Sequence, residues 1–300
     1  MSITEEQLRS WSAGPSQTES DKCQNAKNMI RKAIKASDEL QNRDISVFAQ
    51  GSYKANTNVR KNSDVDICIR YNGSFFPDYP KGATQQTFGH VKGEFPFTDF
   101  KNLVEDALVS YFGEDGVTRG NKAFDVHANS YRVDADVVPT FEHRRYTGNT
   151  LSDGTDEILY GVAFKPDKGS IIKNWPDQTY CNGIERNNAS GRRYKRVIRI
   201  LKRIRDRLKD DGDEANGSLP SFLIESLVWN ADTSAYAKDT YWEMMRHVIA
   251  NLWNQTRKDD DCSDWGEVNE LKYLFRDSQP WTRQQANDFL QSIWDYIGYK

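Results

Sequence analysis

Histidine and cysteine are scarce in this chain, with four of each among 300 residues. The cysteines, Cys23, Cys68, Cys181 and Cys262, stand too far apart for a knuckle of metal ligands, so a zinc site is not expected. Isolated thiols suit a reducing compartment. No apolar run approaches the roughly 18 residues of a membrane span, and the polar stretch Met1 to Trp11 is no secretory leader. A cytoplasmic protein without membrane contact is the expectation. Positive charge is not in excess either: 41 Lys and Arg stand against 44 Asp and Glu, for a net charge of −3. That balance argues against a protein that coats DNA or RNA. Hydrophobic residues are 37% of the chain and aromatics 12%, enough for a packed core. The length allows one bilobal unit or two ordinary domains.

The first half mixes periods. Ser2 and Glu5 have capping-box spacing for a short opening helix. Ala26, Met29, Ile30, Ala33 and Ile34 recur at helical spacing, which predicts a helix over 18–42. Residues 44–50 read as a strand ended by Gly51 and Ser52. Residues 63–71 alternate, with Asp64, Asp66 and Cys68 on one face and Val65, Ile67 and Ile69 on the other. Residues 72–97, rich in Gly, Pro and Phe, predict a long loop, and 98–113 a helix capped by Thr98. A second acidic strand is expected over 131–141, halted by Pro139. Beyond a polar loop at 175–188 the pattern is helical: 190–209, then 219–230 with Pro220 in its first turn, then about 239–257 and 281–297, the last capped by Thr282.

The informative feature is a constellation in three parts. Gln50, Gly51 and Ser52 close one strand. Asp64 and Asp66 open the next, and Asp134 and Asp136 lie on a later one. A solitary Asp-x-Asp on a strand is usually a solvated face. Acids repeated on one face of two strands repel each other unless a cation intervenes. Carboxylates are hard oxygen ligands for Mg²⁺, and a pair of ions about 3.5–4 Å apart suits transfer of a phosphoryl group to a hydroxyl. A Gly-Ser turn offers backbone N–H groups to a polyphosphate, with no Cβ to block its approach.

A basic stretch follows. Residues 186–209 carry eleven Arg or Lys and one acid, Asp206. Val197, Leu201, Ile204 and Leu208 form a buried stripe, with Lys195, Arg199 and Lys202 beside it. That cationic stripe reads as a triphosphate clamp, a solvated face or a nucleic-acid contact. Phe222 either stacks on a base or joins the core. Asn182, Asn187 and Asn188 either read a base edge or serve turns. Lys54 and Thr57, just past the Gly-Ser turn, are further candidates for phosphate.

GSYKANTNVRKNSDVDICIR (51–70) resembles the signature of the DNA-polymerase-β-like nucleotidyltransferases, and DADVVPTF (134–141) the third-aspartate strand of their oligoadenylate synthetase and cGAS/DncV-like (CD-NTase) branch. The resemblance implies an α+β fold: a polymerase-β-like core of mixed β-sheet and helices over 1–165, packed on a C-terminal helical bundle over 166–300. The active site would lie in the cleft between lobes, with the helix 18–42 joining both. It implies Asp64, Asp66 and Asp136 as catalytic residues holding two Mg²⁺ ions, with Mn²⁺ as substitute. Asp136 is preferred to Asp134 because it directly precedes a hydrophobic pair and a proline. Gln50, Gly51, Ser52, Lys195, Arg199, Lys202, Ser221, Phe222 and, more weakly, Asn182 would bind substrate. The implied activity joins two or three NTPs, ATP first and GTP or UTP as a second, into a cyclic di- or trinucleotide messenger for a downstream effector. Pyrophosphate is released. No inserted Cys/His cluster marks a DNA-sensing relative, so the bacterial type and antiphage (CBASS) signalling are implied, without a nucleic-acid activator. RNA tailing, linear oligoadenylate synthesis, drug modification or a nucleotidylating toxin are the alternative uses of such a core, and a non-catalytic NTP sensor a further one.

Overall fold

A computed structural model describes residues 3–59 and 64–300. The chain divides into two compact units. One comprises Ser16–Tyr53 and Lys61–Asp177, the other Met1–Pro15, Lys54–Arg60 and Gln178–Lys300.

In the first unit the helices α2 (Gln17–Ala36) and α4 (Phe97–Phe112) cover a mixed seven-stranded sheet. Its strands are β1 (Ile45–Ala49), β2 (Val65–Asp78), β3 (Val117–Arg119), β4 (Phe124–Val126), β5 (Ala135–Thr150), β6 (Asp156–Phe164) and β7 (Ile172–Asn174). The order is β1-β2-β5-β4-β3, with β6 pairing β5 and β7. Val65, Ile67 and Ile69 are fully buried in the core with Ile30, Phe100 and Val104. The two-residue alternation therefore leaves Asp66 on the opposite face. Ser16 and Glu19 form a capping box that starts α2, which ends at Ala36 instead of 42.

Two strands outrun their sequence patterns. β2 continues to Asp78, with an irregularity between Tyr71 and Phe75, so part of the expected loop is sheet. β5 passes through Pro139. There β4 pairs only Ala135–Val137 and β6 only Phe141 onward, so Pro139 sits in a gap on that edge where no ladder needs its missing N–H.

The second unit is helical: α1 (Glu5–Trp11), the later part of α5 (Pro176–Ala189), α6 (Tyr194–Asp210), α7 (Glu214–Gly217), α8 (Ser221–Trp229), α9 (Tyr241–Gln255) and α10 (Arg283–Ile297). α3 (Gly51–Ala55) carries the chain from the first unit into the second. α6 runs through the second core, burying Val197, Leu201, Ile204 and Leu208 as the stripe requires. Thr4, not Ser2, caps α1, and Ser2 lies outside the described residues. Pro96 replaces the expected Thr98 cap of α4, and α5 occupies the expected loop 175–188. No helix among the described residues is long and apolar enough to cross a membrane.

Candidate active site

The parallel pairing of β2 with β5 sets Asp66 directly beside Asp136, and the antiparallel pairing of β4 with β5 sets Asp125 on the other side of Asp136. Residues opposite one another across strands share a face with Cβ atoms about 5 Å apart. Three carboxylates therefore stand in a row on adjacent strands. Asp64 comes one residue before β2, where the Val65 N–H donates to the Asp134 carbonyl at 3.0 Å.

This crowding shows in Asp136, whose carboxyl is pushed up to about 7. Burial is the first cause, followed by a hydrogen bond with Asp125 and the charges of Asp66, Asp125 and Asp64. Asp134 plays a different part. Its Oδ1 accepts from the Ala128 N–H at 2.6 Å, which fastens the turn before β5.

The Gly-Ser turn touches this row. The Gln50 N–H donates to the Asp66 carbonyl at 2.9 Å. Gly51 has a φ of +65°, and a Cβ there would lie 2.0 Å from Asp66 Oδ2. Only glycine fits both the backbone and the space. Ser52 follows, half-buried, in the first turn of α3.

The donor set fits divalent ions. Clustered carboxylates offer hard oxygens, and their mutual repulsion is relieved by a cation. Among the described residues no three acidic, histidine or cysteine side chains are gathered tightly enough to enclose an ion as they stand. Side-chain rotation would have to complete the cage.

In the helical unit the expected stripe Lys195, Arg199, Lys202 is split. Lys195 is half-buried, its ammonium 6.0 Å from the centre of the Tyr180 ring; that of Lys54 lies 4.9 Å from the same ring. Two cations thus share one aromatic surface. Burial and the neighbouring Arg199 hold Lys195 below the usual lysine range. Arg199 and Lys202 point into the protein instead. Arg199 donates to the carbonyls of Ser12 (2.7 Å) and Asn56 (2.6 Å), and burial, then Arg196, lower it to about 10. Lys202, 1% exposed, donates to Glu225 Oε1 at 2.5 Å.

The other candidates are engaged locally. Ser221 Oγ accepts from Arg205 at 2.9 Å. Phe222, half-buried, has its ring 6.5 Å from that of Trp281. Asn182 is buried, donating to the Val268 carbonyl (2.8 Å) and accepting from Gln178 (2.7 Å), so both ends of its amide are used. Asn187 accepts from the Lys195 N–H at 3.3 Å, and Asn188 is exposed.

Sequence reasoning missed Asp125, Tyr180 and Glu225. Asp125 sits on a three-residue strand, too short for alternation to register. Tyr180 was hidden in a segment read as loop. Glu225 did carry a signal: it is the one acid in the apolar run from Leu219 to Trp229, and a buried acid calls for a partner.

The chain is similar to known proteins along nearly its whole length. The model of the cGAS/DncV-like nucleotidyltransferase C-terminal helical domain matches residues 181–298, and that of the nucleotidyltransferase domain matches 30–108. The chain is 40% identical over 297 residues to the cyclic dipyrimidine nucleotide synthase CdnE of Cecembia lonarensis, covering 99% of each chain. It is 43% identical over 300 residues to the protein of the same name from Legionella pneumophila, again over 99% of each. The solved structure of the Elizabethkingia meningoseptica CdnE cyclic dinucleotide synthase with GTP and Apcpp superposes with a TM-score of 0.82 at 37% identity, over 99% of this chain and all of that one.

Proposed function

The chain belongs to the cGAS/DncV-like nucleotidyltransferase family, and on that premise we propose that it joins two nucleoside triphosphates into a cyclic dinucleotide with release of pyrophosphate. The observation that carries the chemistry is the in-register pair Asp66 and Asp136, with Gly51 against Asp66.

Members of the family generally use divalent metals. Asp64, Asp66 and Asp136 would hold two such ions, Mg²⁺ first and Mn²⁺ as substitute. When bound there, the ions would neutralise the leaving pyrophosphate and lower the pKa of the acceptor hydroxyl. The chain's own residues do the rest. Asp136, deprotonated, orients the acceptor hydroxyl. Gly51 keeps Asp66 Oδ2 clear, and the N–H groups of the Gly51–Ser52 turn receive phosphate oxygens. Lys54 and Lys195, paired over Tyr180, are assigned to phosphate. Ser221 and Phe222 at the start of α8 are assigned to triphosphate and base. A second transfer within the linear intermediate closes the ring.

The two relatives named as dipyrimidine synthases favour UTP and CTP as first substrates, while the GTP and Apcpp bound to a 37% identical structure favour purines. ATP, GTP, UTP and CTP are therefore offered together. The product would act in the cytoplasm as a messenger read by an effector in antiphage signalling.

The test is incubation of the purified protein with Mg²⁺ and all four NTPs, phosphatase treatment and mass spectrometry. A phosphatase-resistant cyclic dinucleotide, absent with Asp64→Ala/Asp66→Ala, is the expected result. A wild-type protein that forms no resistant product, or labels RNA or protein instead, overturns the proposal.

A further inference from the structure

Residues Asn56–Asn58 form a strap whose last two residues are buried more deeply than their polarity predicts. Thr57 is 1% and Asn58 5% exposed. Asn56, exposed and left-handed with a φ of +56°, ends α3 as asparagine often ends a helix. Two polar residues buried side by side need hydrogen-bond partners from the packing around them.

The holders come from the basic helix. Arg199 and Lys202 are three residues apart on α6 and so neighbours on one face. Arg199 grips the strap directly at the Asn56 carbonyl, and with its Nε ties the Ser12 carbonyl to the same point. Lys202 grips it through Glu225: one carboxylate oxygen, Oε1, accepts from both Lys202 Nζ at 2.5 Å and Thr57 Oγ1 at 2.8 Å. The side chains of Lys202 and Glu225 are 1% and 8% exposed. Taking such a pair out of water is costly, and an apolar pair of equal size would stabilise the helices at least as well. What an apolar pair could not do is accept the Thr57 hydroxyl.

The strap, α6 and α8 belong to the same compact unit. By the chain itself the strap follows α3, which opens with Gly51 and Ser52. We propose that Arg199, Lys202 and Glu225 are positioning residues for the reaction assigned above, holding Asn56–Asn58 and with it the end of α3, the helix that opens with the phosphate-binding turn. This role rests on that assignment.

Thr57 separates this role from simple packing. Thr57→Val keeps the shape and removes the hydroxyl; Thr57→Ser keeps the hydroxyl and loses a methyl group. With the full chain and Mg²⁺, kcat and KM for each NTP are measured beside Glu225→Gln, together with hydrogen exchange of residues 54–59. Thr57→Val and Glu225→Gln should lower kcat about tenfold or more, leave KM within about threefold, and speed exchange in the strap. Thr57→Ser should stay within about twofold of wild type in kcat. Equal losses in the Val and Ser variants, an unchanged kcat in Thr57→Val, or a rise in KM alone would each overturn the proposal. Should Glu225→Gln fail to fold, the Thr57 pair decides. A wild-type protein with no cyclic product would sink the assigned reaction, while the exchange rates would still judge the strap.

Discussion

Replacing Gly51 by alanine tests the contact on which the site geometry turns. Two penalties apply. The backbone is left-handed at φ +65°, which costs a residue with a Cβ about 1–2 kcal/mol. The new Cβ also meets Asp66 Oδ2 at 2.0 Å, whereas real Cβ contacts essentially never fall below 3.0 Å. The carboxylate must therefore retreat by about 1 Å, and a displacement of that size at a reacting centre costs about a hundredfold in rate. Gly82 separates the two effects, because its φ is +86° and nothing lies within 4 Å of a Cβ built on it. Gly82→Ala should lose about 1 kcal/mol of stability and no activity. Gly51→Ala should lose stability and about two orders of magnitude in kcat. Thermal unfolding and chromatographic product assays on both variants provide the comparison. Equal activity in the two alanine variants would refute the claim that Asp66 depends on the empty space beside it.

Asp136→Asn should lower product formation about a hundredfold or more, whereas Asp134→Asn, whose amide oxygen can still accept from Ala128, should stay within about fivefold of wild type; the reverse ranking in a steady-state assay would reassign the third ligand. Asp136, raised to about 7, binds a proton in the folded chain that the unfolded chain has already released, so metal-free stability should fall as pH rises from about 4 to about 7. Mn²⁺ affinity should run the other way, increasing toward about tenfold per pH unit below 7 because the ion displaces that proton; a flat titration by electron paramagnetic resonance would contradict this. Glu5 accepts the Tyr241 N–H at 3.1 Å and the Trp242 N–H at 2.8 Å, capping α9 from another helix. Glu5→Ala should cost about 1 kcal/mol in denaturant unfolding, and Glu5→Gln less, with no change in kcat.

How far the sequence reaches can be judged from particular residues. The faces of Asp66 and Asp136 were legible because period-two alternation fixes which side an acid occupies, whereas the preference for Asp136 over Asp134, which shares its face, came from the resemblance, and Gly51 stood out only together with the acids that follow it. The buried stripe of α6 was equally plain. Asp125 was not, since its importance comes from being opposite Asp136 in a pairing that no local pattern encodes. The same holds for β5 beyond Pro139: whether proline stops a strand depends on which neighbours need its N–H, and that is decided by β4 and β6. The fates of Lys195, Arg199 and Lys202 diverge for a related reason. Helical spacing puts all three near one another, but only the packing of Glu225 and the strap decides that two of them turn inward.

The alignment of β2 with β5 has a consequence for changes in chain length. A single residue inserted between Val65 and Asp66, or between Ala135 and Asp136, would turn that acid toward α2 and α4 and bring the apolar residue after it, Ile67 or Val137, out to the opposite face. The irregularity between Tyr71 and Phe75 lies past Asp64 and Asp66 along β2, where an extra residue can be absorbed without inverting them. Insertion scanning along β2 should accordingly find an intolerant stretch before Tyr71 and a permissive one at Asn72–Ser74, so that tags or sensors for a working enzyme belong at the latter.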